Sequence, residues 1–180
     1  GNVVTEEVEA YDPATNTWSR MDPMASPRAF HAAIKLDDGR VLVVGGSAKS
    51  TTRFISAAEI FDPTNGSWTP VPDISSPRGT PGGVLLGDGR VLISGGVDTK
   101  GAATDATEMF DPATGSWQPA ARMNEASGDQ STVLLDDGRV LVAGGTGADG
   151  QATARAEIYD PVTDTWTLTG SLNGARSAQE

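Results

Sequence analysis

Tyr11-Asp12-Pro13 leads to Trp18, Phe61-Asp62-Pro63 to Trp68, Phe110-Asp111-Pro112 to Trp117, and Tyr159-Asp160-Pro161 to Trp166. The four aspartates stand 50, 49 and 49 residues apart. A second phrase falls between them three times, in step: Leu36 to Gly46, Leu86 to Gly96 and Leu135 to Gly145. Each is built on Asp-Gly-Arg-Val-Leu and closes on Gly-Gly. A fixed period near 50 residues means one supersecondary unit stacked on copies of itself. Few folds satisfy that constraint, so architecture is decided before function.

The unit reads as four short strands, a to d. In the copy from Arg28 to Trp68, residues Ala29 to Leu36 form strand a. Asp37-Asp38-Gly39 is a hairpin turn, because Asp-Gly supplies the positive φ that a tight turn needs. Val41-Leu42-Val43-Val44 is continuous and β-branched, the pattern of a strand buried on both faces, and Gly45-Gly46 ends it. After a polar stretch, Ala57 to Phe61 gives strand c. The run from Asp62 to Gly66 is a turn. Strand d begins at Ser67-Trp68-Thr69, and Pro70 and Pro72 are expected to stop it. No segment sustains a 3.6-residue period, so the expected fold is all-β. Four-stranded antiparallel sheets repeated at this length pack radially as the blades of a β-propeller.

Composition narrows the partners. Thirteen basic residues face 24 acidic ones, for a net charge of −11. Such a surface repels phosphate backbones and anionic lipid, so no nucleic acid and no membrane surface is expected. The chain has no cysteine, which removes disulfides, thiolate nucleophiles and Cys metal sites. No apolar run approaches the ~20 residues that span a bilayer, and no secretory leader is visible in the 180 residues.

The Gly-Gly pair after an apolar strand, the aromatic residue that follows and the Trp closing the next turn resemble the kelch repeat. The form Asp-Gly-Arg-Val-Leu-Val-x-Gly-Gly resembles the bacterial, galactose-oxidase-like variety. The resemblance runs in register over nearly the whole chain and implies a kelch propeller, a fold that hosts binding modules, scaffolds and a few enzymes. It also favours a secreted or cell-surface bacterial protein.

Divided by strand, residues 1–20 supply c and d of a partial blade. Complete blades follow at 24–70, 74–120 and 123–169, and 175–180 start a further strand a. Propellers have typically 4–8 blades. The count therefore fits a piece of a longer propeller, or a chain that completes its ring as a homo-oligomer.

Antiparallel order puts the a–b and c–d turns on one face, and the b–c loops and d–a links on the other. The first set is nearly invariant among repeats, as in a scaffold. The second set varies: Ser47 to Ser56, Val97 to Ala106 and Thr146 to Arg155 in the b–c loops; Met21 to Pro27, Pro72 to Pro77 and Arg122 to Ala126 in the links. Ligand contacts are expected there, on Arg28, His31, Arg53, Arg78, Lys100, Asp129, Arg155 and Arg176. Arg28, Arg78 and Arg176 form a column at the start of strand a, with Ser127 in the remaining copy. Their forked donors suit a carboxylate or an anionic sugar. The competing reading pairs them internally with Glu59, Glu108 and Glu157, another repeat column. His31 is the only histidine, in a column with Pro81, Gln130 and Gln179, and one histidine cannot build a multi-His metal site. The strict period of the tryptophans fits packing between blades better than a sugar platform. Asp12, Asp62, Asp111 and Asp160 open turns, where Asp accepts local backbone bonds.

Other motifs dissolve on inspection. Gly145 to Gly150 satisfies G-x-G-x-x-G, but a strand follows where a dinucleotide site needs a helix. Asn65-Gly66-Ser67 is a sequon at a turn. Asp98, Asp105 and Asp149 lack a calcium-loop pattern. No cofactor or metal is expected, and no catalytic constellation is visible. The leading expectation is a binding or scaffold module for a protein or glycan. The rivals are a carbohydrate-active kelch enzyme of the sialic-acid mutarotase type, and a recently amplified or engineered repeat with no ligand. The resemblance to galactose oxidase implies a Cys–Tyr cofactor, which a chain without cysteine cannot make.

Overall fold

The computed structural model describes residues 4–48 and 53–177. Residues 49–52 of the first b–c loop, and Gln179, lie outside the described residues. A two-stranded ribbon comes first, β1 (Glu9–Asp12) and β2 (Thr17–Arg20). The first blade is β3 (Ala32–Lys35), β4 (Val41–Val44), β5 (Ala58–Asp62) and β6 (Ser67–Val71), hydrogen-bonded in chain order. The second is β7 (Gly82–Leu85), β8 (Val91–Ser94), β9 (Thr107–Asp111) and β10 (Ser116–Pro119). In the third region β11 (Ser127–Gly128) precedes β12 (Ser131–Leu134), β13 (Val140–Ala143), β14 (Thr146–Gly147), β15 (Ala156–Asp160) and β16 (Thr165–Leu168). There β12, β13, β15 and β16 make the blade, while β11 and β14 pair as a short ribbon beside it. All pairings are antiparallel, and the described residues contain no helix.

Two expectations need correction. Strand a is shorter than its apolar pattern: Ala29 makes only an isolated bridge to Ser47, and the regular strand begins at Ala32. Strand d passes through Pro70, which pairs with Glu59. Strand d is the outermost, so the missing N–H faces no neighbour and the ladder loses nothing.

The asparagine and glycine turns behave as their chemistry demands. Gly39, Gly89 and Gly138 of the a–b hairpins hold φ of 87°, 86° and 84°. In the c–d turns Asn16, Gly66, Gly115 and Asp164 occupy one column at φ of 56°, 74°, 66° and 50°. These are the residue types that tolerate the left-handed region.

The core lies between blades, in two layers. Ile34, Leu42, Val44 and Ile60 of the first blade pack against Val91, Ile93 and Phe110 of the second. Leu92 and Met109 of the second pack against Val140, Val142, Tyr159 and Trp166 of the third. Each fully buried aliphatic or aromatic side chain contributes about 1.5–3 kcal/mol, so stability resides in the stacking of sheets. The inner strands β3, β7 and β12 lie against one another in succession, which places strand a at the narrow axis.

Candidate functional site

The variable face is held together by the Gly-Gly pairs. Gly46 donates its N–H to the Arg78 carbonyl at 2.9 Å, Gly96 to that of Ser127 at 2.8 Å, and Gly145 to that of Arg176 at 2.8 Å. A Cβ on Gly45 would meet the Arg78 carbonyl oxygen at 2.6 Å. The glycines therefore do more than end a strand: they let each blade touch the start of the next one's strand a.

Behind that seam, Arg28 and Arg78 point into their own blades, with side chains fully buried. Arg28 donates through Nη1 to the Gly45 and Ala57 carbonyls at 3.1 and 3.0 Å, and through Nη2 to Glu59. Arg78 repeats this with Gly95 at 3.4 Å, Ala106 at 2.9 Å and Glu108. The far carboxylate oxygens accept from the Ala25 and Ser75 N–H groups, each at 2.9 Å. The internal pairing is what these two arginines adopt, and neither side chain is exposed to solvent. A buried carboxylate demands a partner, and the matched charge supplies it.

The third blade keeps the frame and loses the arginine. Ser127 reaches only the Gly144 carbonyl, at 3.0 Å. Glu157 stays buried and accepts from the Asn124 N–H at 2.9 Å, the Asn124 side-chain amide at 2.8 Å and the Glu125 N–H at 2.9 Å. A cavity of about 20 Å³ remains, bordered by Glu125, Ser127, Gly144, Thr153, Arg155 and Glu157. Arg155 pairs with Glu125 at its edge, with its side chain 63% exposed.

The remaining expected contacts lie on the rim. Arg53, Lys100 and Arg176 are exposed. Among the described residues none of the three meets a carboxylate at ion-pair distance. Arg176 has its backbone bridged to Thr153. His31 is half-buried beside the seam, and its Nδ1 has no partner among the described residues. Burial, and then the nearby Arg28 charge, push its pKa below the ordinary value of 6.5. Its column mate Gln130 donates to the Ser94 carbonyl of the neighbouring blade at 2.8 Å. Asp129 is partly exposed, at φ 55°.

Asp129 belongs to a column that sequence reasoning missed. Phe30, Thr80 and Asp129 all sit just ahead of strand a at φ of 58°, 48° and 55°. Thr80 donates its N–H to the Phe30 carbonyl at 2.7 Å, so column members of adjacent blades meet near the axis. An aromatic and a β-branched residue are poor candidates for this backbone, and nothing in their identity announces it. Glu125 was also missed. Its signal was present, since the matching residues are Ser26 and Ser76.

A family model described as the Kelch motif matches residues 28–75, 78–124 and 130–173. The chain belongs to the kelch family. No curated protein matches this kelch chain. Among solved structures it is similar to that of YjhT, at a TM-score of 0.76 and 16% identity, over 92% of this chain. It spans 52% of the YjhT chain. The likeness concerns fold, and it fits three blades plus a partial one as part of a propeller.

Proposed function

We propose that this kelch chain is a non-catalytic interaction module that seats a protein or glycan on the face of the b–c loops and d–a links. The observation that carries this is the column of Phe30, Thr80 and Asp129. Glycine would hold that backbone at lower cost, yet each blade keeps a different side chain there, and Phe30 is 43% exposed. Strained backbone kept with varied side chains supports a site selected for contact. Arg53, Lys100 and Arg176 are exposed, and among the described residues none meets a carboxylate, which on an otherwise acidic molecule favours a partner bearing carboxylates. The net charge of −11 disfavours nucleic acid and anionic lipid. The Asp-Gly-Arg-Val-Leu phrase is read as the mark of the bacterial, galactose-oxidase-like variety.

Thr80→Gly combined with Asp129→Gly relaxes the backbone while removing the side chains. Glycan arrays and pull-downs should show binding by the parent chain and at least tenfold weaker binding by this variant, at unchanged melting temperature. Asp38→Asn in the invariant turns should bind as the parent does. Equal binding by the rim variant would place the contact elsewhere. Turnover in a sugar-anomer exchange assay would make the chain an enzyme.

A further inference from the structure

Three blades of one chain offer an internal comparison. In two of them a slot between strands a, b and c is filled by a guanidinium, which is held by two carbonyls and a buried carboxylate. In the third the acceptors persist. Gly144 donates its N–H to the Arg155 carbonyl at 2.9 Å, as Gly45 does to Ala57 and Gly95 to Ala106, and Glu157 stands where Glu59 and Glu108 stand. Only the cation is gone.

The loss is accompanied by two changes at the slot's edge. Glu125 replaces the serines of the other blades, and Arg155 replaces their alanines. Glu125, Arg155 and Glu157 together leave the pocket one negative charge in excess. Neutral N–H groups alone now satisfy Glu157, a weaker answer to a buried carboxylate than a matched charge. The cavity of about 20 Å³ holds roughly one water-sized group. That is large enough for an –NH3+ head. Such a head directs three N–H donors at the acceptors already present: the Glu157 carboxylate and the Gly144 carbonyl, with Ser127 Oγ alongside.

We propose that the third-blade slot binds a primary ammonium head group in place of the missing arginine. The head comes from a small alkylamine or from a lysine side chain. The site is independent of the axial rim proposed above, because it lies inside one blade and uses none of Phe30, Thr80 and Asp129.

The test is a thermal-shift and NMR titration of the intact chain with methylammonium chloride, against KCl at equal ionic strength. A lysine-containing peptide and its acetyl-lysine counterpart separate the two sources: a response to methylammonium alone marks a small-amine site, and one to both probes a site open to protein. Methylammonium should raise the melting temperature saturably, by about 3 °C at ten times Kd, while KCl leaves it unchanged. Ser127→Arg, whose side chain fills the slot as in the sister blades, should fold at least as stably and lose the response. Glu157→Gln should lose it too, and if that variant does not fold, Ser127→Arg decides. An absent response, an equal response to KCl, or one retained in Ser127→Arg would overturn the proposal.

Discussion

Arg78 and Ser127 stand at equivalent places, and the contrast between them shows what one side chain does in this fold. Removing Arg78 strands Glu108 in the interior, so Arg78→Ala should cost about 3–5 kcal/mol in chemical denaturation. Replacing both partners, as Arg78→Met with Glu108→Leu, should recover most of that loss. His31 titrates in its own window. Its folded pKa lies below its unfolded value of 6.5, so the unfolded chain binds more protons as pH falls, and stability present above 6.5 is lost below it. His31→Gln, the residue its column carries at Gln130, should flatten the pH dependence of melting below 6.5. Asp38, Asp88 and Asp137 act lower. Their Arg40, Arg90 and Arg139 partners hold each carboxyl below 3.8, so their contribution persists until pH falls past that value. A related rule links two columns. Tyr11 and Tyr159 donate to Asn16 and Asp164 at 2.8 Å, whereas the phenylalanines Phe61 and Phe110 face Gly66 and Gly115. A hydroxyl appears only where the turn residue can accept its proton.

Strands c and d carry one aromatic pair per repeat, with ring centroids 4.9–5.2 Å apart. The indole N–H groups of Trp68, Trp117 and Trp166 donate to the carbonyls of Asp22, Pro72 and Ala121, in or next to the d–a links. Trp117 also packs on the layer between the first two blades, whereas Trp18 is 66% exposed. Trp117→Ala should therefore cost about 3 kcal/mol and Trp18→Ala less than about 0.5 kcal/mol, read from melting curves. Much of this was legible beforehand. Period, strand order, hairpin turns and the Arg–Glu columns follow from patterns local to the chain, and Ser127 already marked the third blade as different. What escaped depends on distances between blades. The role of Gly45-Gly46 requires knowing that Arg78 approaches, the cavity beside Glu157 depends on how far the packing collapses, and the left-handed backbone at Phe30 and Thr80 runs against their propensities.

Across the whole molecule, burial follows position in the stack. Equivalent residues Ile34, Val84 and Val133 pass from buried through half-buried to 53% exposed as the covering blade is lost. On the opposite side Tyr11 is 46% exposed where Phe61, Phe110 and Tyr159 are covered. One end of the stack thus presents the surface that the other end buries. The isolated 180-residue chain should self-associate head to tail, giving concentration-dependent sedimentation and a blue shift of Trp18 fluorescence on association. A compact monomer at high concentration would contradict this. The seams are hydrogen-bonded through peptide groups, glycine N–H to the next blade's carbonyl, and such a joint does not read which side chains stand beside it. Blade order is therefore not written into the joints. Duplicating or transposing a repeat in the gene preserves these backbone joints, so what must be refitted is the apolar layer between blades and side-chain bridges such as Gln130 to Ser94.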